Sequence, residues 1–121
     1  MKTLKLAGFL MFFLGLGLFN QSFSQTTIRV FEAGDNSGQM ARVTTDSDGA
    51  MIKLEYTHSS HMNWVEATIQ TVQNYQYPHS TNARVKSNTS GRVYEISIDY
   101  ESGRLIETTP EGKELSYWIK N

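Results

Sequence analysis

In RVYEISIDY, residues 92–100, Tyr94, Ile96, Ile98 and Tyr100 alternate with Glu95, Ser97 and Asp99. A strand turns successive side chains to opposite faces, so this order makes one apolar and one polar face. A helix would scatter the same residues around its axis. The period recurs in AMIKLEY, residues 50–56, which points Ile52, Leu54 and Tyr56 inward, and in KELSYWI, residues 113–119, which points Leu115, Tyr117 and Ile119 inward. Weaker alternation runs through TIRVFEA, QMARVTT, NARVKS and RLIETT. Between these segments lie turn clusters: GDNSG at 34–38, DSDG at 46–49, NTSG at 88–91, ESG at 101–103 and PEG at 110–112. Short strands punctuated this often predict a mainly β fold, a small antiparallel meander closing as a barrel or a two-sheet sandwich.

One segment fits two periods. In SSHMNWVEATIQTVQNYQY, residues 59–77, Met62, Val65, Ile69 and Val72 follow helical spacing behind Ser59 or Ser60 as an N-cap. Val65, Ala67, Ile69, Thr71 and Tyr75 follow strand spacing. The β-branched and aromatic residues of TIQTVQNYQY favour the strand, which brings the count to eight. The alternative is an α+β fold with one helix near residues 60–76 on an antiparallel sheet. The stretch VYEISIDYESGRLIE, residues 93–107, resembles the final hairpin of PepSY-type periplasmic domains. That resemblance implies a helix ahead of the strands and a role in peptidase inhibition or partner binding.

The amino terminus reads as an address. Lys2 and Lys5 precede the apolar run LAGFLMFFLGLGLF, and Ser22 and Ser24 stand three and one before Gln25, the order of a secretory signal peptide. Fourteen apolar residues are fewer than the ~20 that cross a bilayer, so cleavage near Ser24/Gln25 is expected, with no stable membrane insertion afterwards. Residues 1–24 are thus read as the signal and residues 25–121 as one small β-rich domain, secreted or periplasmic. Without Lys2 and Lys5, the eleven basic residues fall to nine against twelve acidic ones, a net charge of −3. No basic stripe remains for a phosphate backbone, so nucleic acid is not an expected partner. The absence of cysteine excludes disulfides, thiolate metal sites and a cysteine nucleophile, and leaves stability to the core alone.

Few residue groups carry chemistry. TTDSDGAMIKLE, residues 44–55, sets Asp46, Asp48, Gly49 and Glu55 at positions three, five, six and twelve of a helix-flanked calcium loop, with Thr44 at position one. Laying Gly49 over Gly112 aligns this stretch with TTPEGKELSYWI, which has the same rhythm of strand, polar turn, Gly and strand but no ligand set. Both therefore read as a type I turn followed by a left-handed Gly, returning the chain as a bulged hairpin. His58 and His61 could chelate a metal from one turn, with His79 at the same end of the meander and Glu66 as a fourth ligand, yet the spacing matches no familiar zinc set. There is no G-x-S-x-G elbow and no triad to select, so neither catalysis nor a cofactor is expected.

Aromatic residues carry the rest. Tyr94, Tyr100 and Tyr117 belong to apolar faces, whereas Trp118 alternates out of phase with Leu115, Tyr117 and Ile119, on a face with Glu114 and Ser116. Trp118 is thus either a plug at a barrel end or part of a binding surface, and Trp64 and the NYQYPH cluster of Tyr75, Tyr77 and His79 are further anchors. These residues suit a non-catalytic module that binds a protein partner, of inhibitor, immunity or accessory type. A glycan-stacking module is the alternative, and the uncharged, β-prone TIQTVQNYQY adds a self-assembling one.

Overall fold

The computed structural model describes residues 25–120; residues 1–24, the expected signal peptide, lie outside the described residues. Eight strands follow one another: β1 (Thr27–Ala33), β2 (Gln39–Thr45), β3 (Met51–His58), β4 (Val65–Gln76), β5 (His79–Lys86), β6 (Val93–Asp99), β7 (Arg104–Thr108) and β8 (Glu114–Ile119). Each pairs antiparallel with the next, and β8 returns to β1 to close a barrel. The segment that fitted two periods is strand β4. The helix implied by the PepSY resemblance is therefore replaced by strand, and no helix occurs among the described residues.

Alternation places the core. Phe31, Ala41, Val43, Leu54, Val85, Ile96, Ile98, Leu105 and Tyr117 point inward and are almost wholly removed from water. Side chains thus fill the lumen, as eight strands allow. Closure rests on a short seam, in which Phe31, Glu32 and Ala33 pair with Ile119, Trp118 and Tyr117. Outward positions on β5 and β6 carry Asn82, Arg84, Lys86, Glu95 and Ser97, a wall suited to water rather than lipid.

Two bulges overturn the simple inward assignments. The β2–β3 register shifts between Thr44 and Thr45, so Met51 turns in and Ile52, expected inside, is half exposed. A second shift, between Ile69 and Thr71, leaves Val65, Ala67 and Ile69 facing the lumen but turns Thr71 and Tyr75 outward. An extra residue on one strand reverses every later side chain, which is why alternation alone misassigns both segments. Beyond Ala67, β4 has no ladder with β3. The gap is bridged by the Asn74 side chain, whose Oδ1 accepts from Met51 N (3.1 Å) and Thr81 Oγ1 (2.7 Å).

The two matching turns behave alike. Gly49 N donates to Asp46 O (3.0 Å) and Asp46 N to Ala50 O (2.9 Å); Gly112 N donates to Thr109 O (2.9 Å) and Thr109 N to Lys113 O (2.8 Å). Gly49 and Gly112 have φ of 83° and 86°, which side chains rarely tolerate. Asp46 Oδ1 accepts from Asp48 N (2.9 Å) and Ala50 N (3.0 Å), so this carboxylate builds the turn itself.

Candidate functional site

The outer wall over β7, β8, β1, β2 and β3 is the most differentiated surface. Register sets Arg104, Trp118, Glu32, Met40 and Thr57 side by side in one row, with Val30, Arg42 and Glu55 in a second. All of these point away from the lumen, yet Met40, Glu55 and Thr57 are buried. The β3–β4 loop folds back toward them. His61 N (3.1 Å) and Met62 N (2.9 Å) both donate to His58 O, and Met62 takes a φ of 53°, a costly conformation for a residue with a side chain. This turn lays Trp64 on the Arg42 guanidinium, 4.3 Å from the ring centroid. Trp118 is half exposed and stacks on Arg104 at 5.1 Å. It sits on the wall and does not plug a barrel end.

Between them run two adjoining grooves. One, of ≈ 530 Å³, is lined by Val30, Met40, Met62 and Trp64 with Glu32, Arg42, Ser59 and Lys120 around them. The other, of ≈ 430 Å³, shares Glu32 and Ser59 and reaches Gly34, Trp118 and Ile119. Arg42 holds Glu55 in a two-point pair, Nε to Oε1 at 2.8 Å and Nη2 to Oε2 at 3.0 Å. That hydrogen bonding lowers the Glu55 pKa and raises that of Arg42, against the opposing effect of burial.

The ligand sets considered for metals do not converge. Glu55 is committed to Arg42 on the outer wall, while Asp46 is used in its turn. His58 Nδ1 meets Ser60 Oγ at 2.8 Å and Nε2 meets Ser37 O at 2.7 Å, with the His61 ring stacked 6.0 Å away. His79, expected at the same end, is at the other: β4 runs the whole barrel length between them. Glu66 faces outward opposite Glu55. Among the described residues no three ligating side chains cluster.

The NYQYPH cluster also divides. Tyr77 (94% exposed) and Tyr75 stand outside at the tip of the β4–β5 hairpin, whereas His79 turns over the barrel end. Its ring stacks on Tyr100 at 4.3 Å and its Nε2 meets Gly49 O at 3.0 Å. Arg29, 4.8 Å from the same Tyr100 ring, donates to Thr45 Oγ1 (3.1 Å) and completes this plug.

The opposite end is unlike it, and its central residue, Glu107, was not among the candidates. In RLIETT the carboxylate shares the Leu105 face, so the period already aims it into the lumen. It is buried, and its Oε1 accepts from the Tyr117 hydroxyl at 3.1 Å. Burial raises the Glu107 pKa, although contact with the Tyr56 and Tyr117 hydroxyls works the other way. Burial likewise raises Tyr56 and Tyr117, reinforced by the nearby carboxylate.

A raised acid contributes stability that is full below the unfolded carboxyl pKa, ~4.3, and is lost as pH rises through the folded value. Glu107→Gln keeps an acceptor for Tyr117 and removes the charge. Its thermal midpoint is expected to exceed that of the parent at pH 7 and to converge with it in acid. A lower midpoint at pH 7, measured by circular dichroism, would show that the ionised carboxylate is welcome there.

Compared with protein-family models, curated proteins and solved structures, the chain matches none.

Proposed function

We propose that the mature chain is an exported, non-catalytic binding module that takes a protein partner in the outer-wall groove beside Trp64. The observation supporting this is a cleft lined by apolar Val30, Met40, Met62 and Trp64 together with charged Glu32, Arg42 and Lys120. An apolar anchor site among charged residues is the composition of interface hot spots. Its pairing with a closed barrel keeps the surface preorganised, so little ordering is needed on binding. Trp118 extends the same surface across the seam strands.

The test uses the mature chain immobilised against extract from the envelope of the source cells. Parent and Tyr75→Ala chains are expected to retain one stoichiometric protein, whereas Trp64→Ala loses about 30-fold in affinity, the equivalent of ~2 kcal/mol. Retention indifferent to Trp64→Ala would overturn the reading. Retention of a glycan through Trp118 would replace it with the carbohydrate one.

A second reading rests on a different observation. Among the described residues, β4 pairs from Thr68 to Gln76 only with β5, so its other edge presents backbone groups unmatched by another strand on an uncharged stretch. Such an edge can add a strand from another copy. Concentration-dependent association abolished by Val72→Lys would favour it.

A further inference from the structure

The barrel end around Glu107 holds a half-open cavity of ≈ 230 Å³, lined by Gln39, Tyr56, Tyr94, Glu107 and the Ser87, Thr89 and Ser90 turn. Three observations there are unexplained by the fold. First, Glu107 is buried with no cation in ion-pair reach among the described residues. Second, the hydrogen bond from Tyr117 occupies only Oε1. Third, the Tyr56 hydroxyl is shut off from solvent and makes no hydrogen bond of standard geometry among the described residues, although it lies close enough to the same carboxylate to lower its pKa. The cation at the rim is already engaged, since Arg92 pairs with Glu111 and donates to the Tyr94 hydroxyl at 3.2 Å.

This lining selects strongly among ligands. A carboxylate repels an anion and attracts a cation, as the Tyr94 ring already does with Arg92, 5.8 Å from its centroid. A hard metal ion is a poor fit, because calcium takes six to eight oxygens and only one carboxylate is present. The volume falls below the ~300–1,000 Å³ of sites for drug-sized molecules, leaving room for a head group on a short stem.

We propose that this end of the barrel binds a primary alkylammonium group, seated on Glu107 and Tyr56 with its stem against Tyr94. The ammonium donates to the free carboxylate oxygen, and the Tyr56 hydroxyl, which the cavity does not reach as it stands, turns toward it to accept a second bond. A free amine and a lysine side chain share this chemistry. The site is separate from the outer-wall groove and does not depend on the reading given to it.

The experiment titrates the isotope-labelled mature chain, followed by NMR, with n-butylammonium, n-butanol, butyrate and the peptide Gly-Lys-Gly. Saturable shifts at Tyr56, Tyr94 and Glu107 are expected for n-butylammonium, with a Kd of about 1 mM or tighter, and not for the alcohol or the acid. A response to the peptide as well assigns the site to lysine side chains; a response to n-butylammonium alone assigns it to free amines. Glu107→Gln is expected to weaken binding at least ~10-fold and Tyr56→Phe several-fold, as lost charged and neutral hydrogen bonds do. The dispersed amide spectrum of each variant reports that it is folded. No saturation at tens of millimolar, an equal response to n-butanol, or undiminished binding by folded Glu107→Gln overturns the proposal.

Discussion

Phe31→Ala is expected to remove about 3–5 kcal/mol from the stability of the barrel. Phe31 has no exposed surface, and its strand carries half of the seam that closes the barrel. Truncating a buried phenylalanine costs ~3–5 kcal/mol through lost transfer energy and the cavity left behind. A domain of this size has ~5–15 kcal/mol in total, and this one has no disulfide to limit its unfolded state. The loss also falls on a short seam, three register pairs flanked by the Gly34 N to Ser116 O and Lys120 N to Val30 O bonds, so the cavity weakens closure itself. Urea unfolding followed by tyrosine and tryptophan fluorescence gives the measurement. A cost under ~1 kcal/mol would mean that the seam repacks around the gap. Ile28→Ala, on the same strand but 61% exposed, should change little.

Arg42→Met is expected to cost about 2–3 kcal/mol and to disable the groove at once. The substitution leaves Glu55 buried with only Lys53, 3.7 Å away, as a counter-charge. Breaking a fully buried pair costs ~3–5 kcal/mol; the Arg42 side chain is 29% exposed, which places this pair lower. Glu55 has a lowered pKa in the fold, so its contribution is present above the unfolded carboxyl value and is lost as pH falls through the folded one. The deficit of the variant is therefore largest at neutral pH and shrinks in acid. Arg42→Met combined with Glu55→Gln should recover part of the loss, because the orphaned charge is gone. The same change removes the surface on which Trp64 rests, so partner affinity should fall even where the variant is folded. An unaltered denaturation midpoint for Arg42→Met would show the pair to be an ordinary solvated one.

How far the chain could be read depended on the range of the forces involved. Tyr94, Ile96, Ile98 and Tyr100 lie on one face because successive strand residues alternate, and the structure keeps them there. The left-handed glycines of the two matching turns were legible for the same local reason. Ile52 was misplaced because the β2–β3 register decides which residue is extra, and Ile52 does not encode its partner strand. His79 could not be put at its proper end until the segment before it was known to be a full-length strand. Trp64 and Trp118 stood out as aromatics, but nothing near them in sequence shows that they flank one surface. Glu107 was legible in RLIETT and passed over, since one acid in an alternating strand signals nothing until its burial is seen.

The sequence by itself therefore determined seven of the alternating strands, the turn chemistry and the dependence on an uncross-linked core, whereas strand β4 was decided by the structure. Alternation, glycine conformations and the absence of cysteine act within a few residues or on the whole composition, so they need no knowledge of the fold. Tertiary structure alone decided that β8 closes on β1, where the bulges reverse the faces, that Trp64 rests on Arg42, and that Glu107 has no counter-ion among the described residues. Each of these is an energy between groups distant along the chain, and it exists only once the barrel has closed and excluded water.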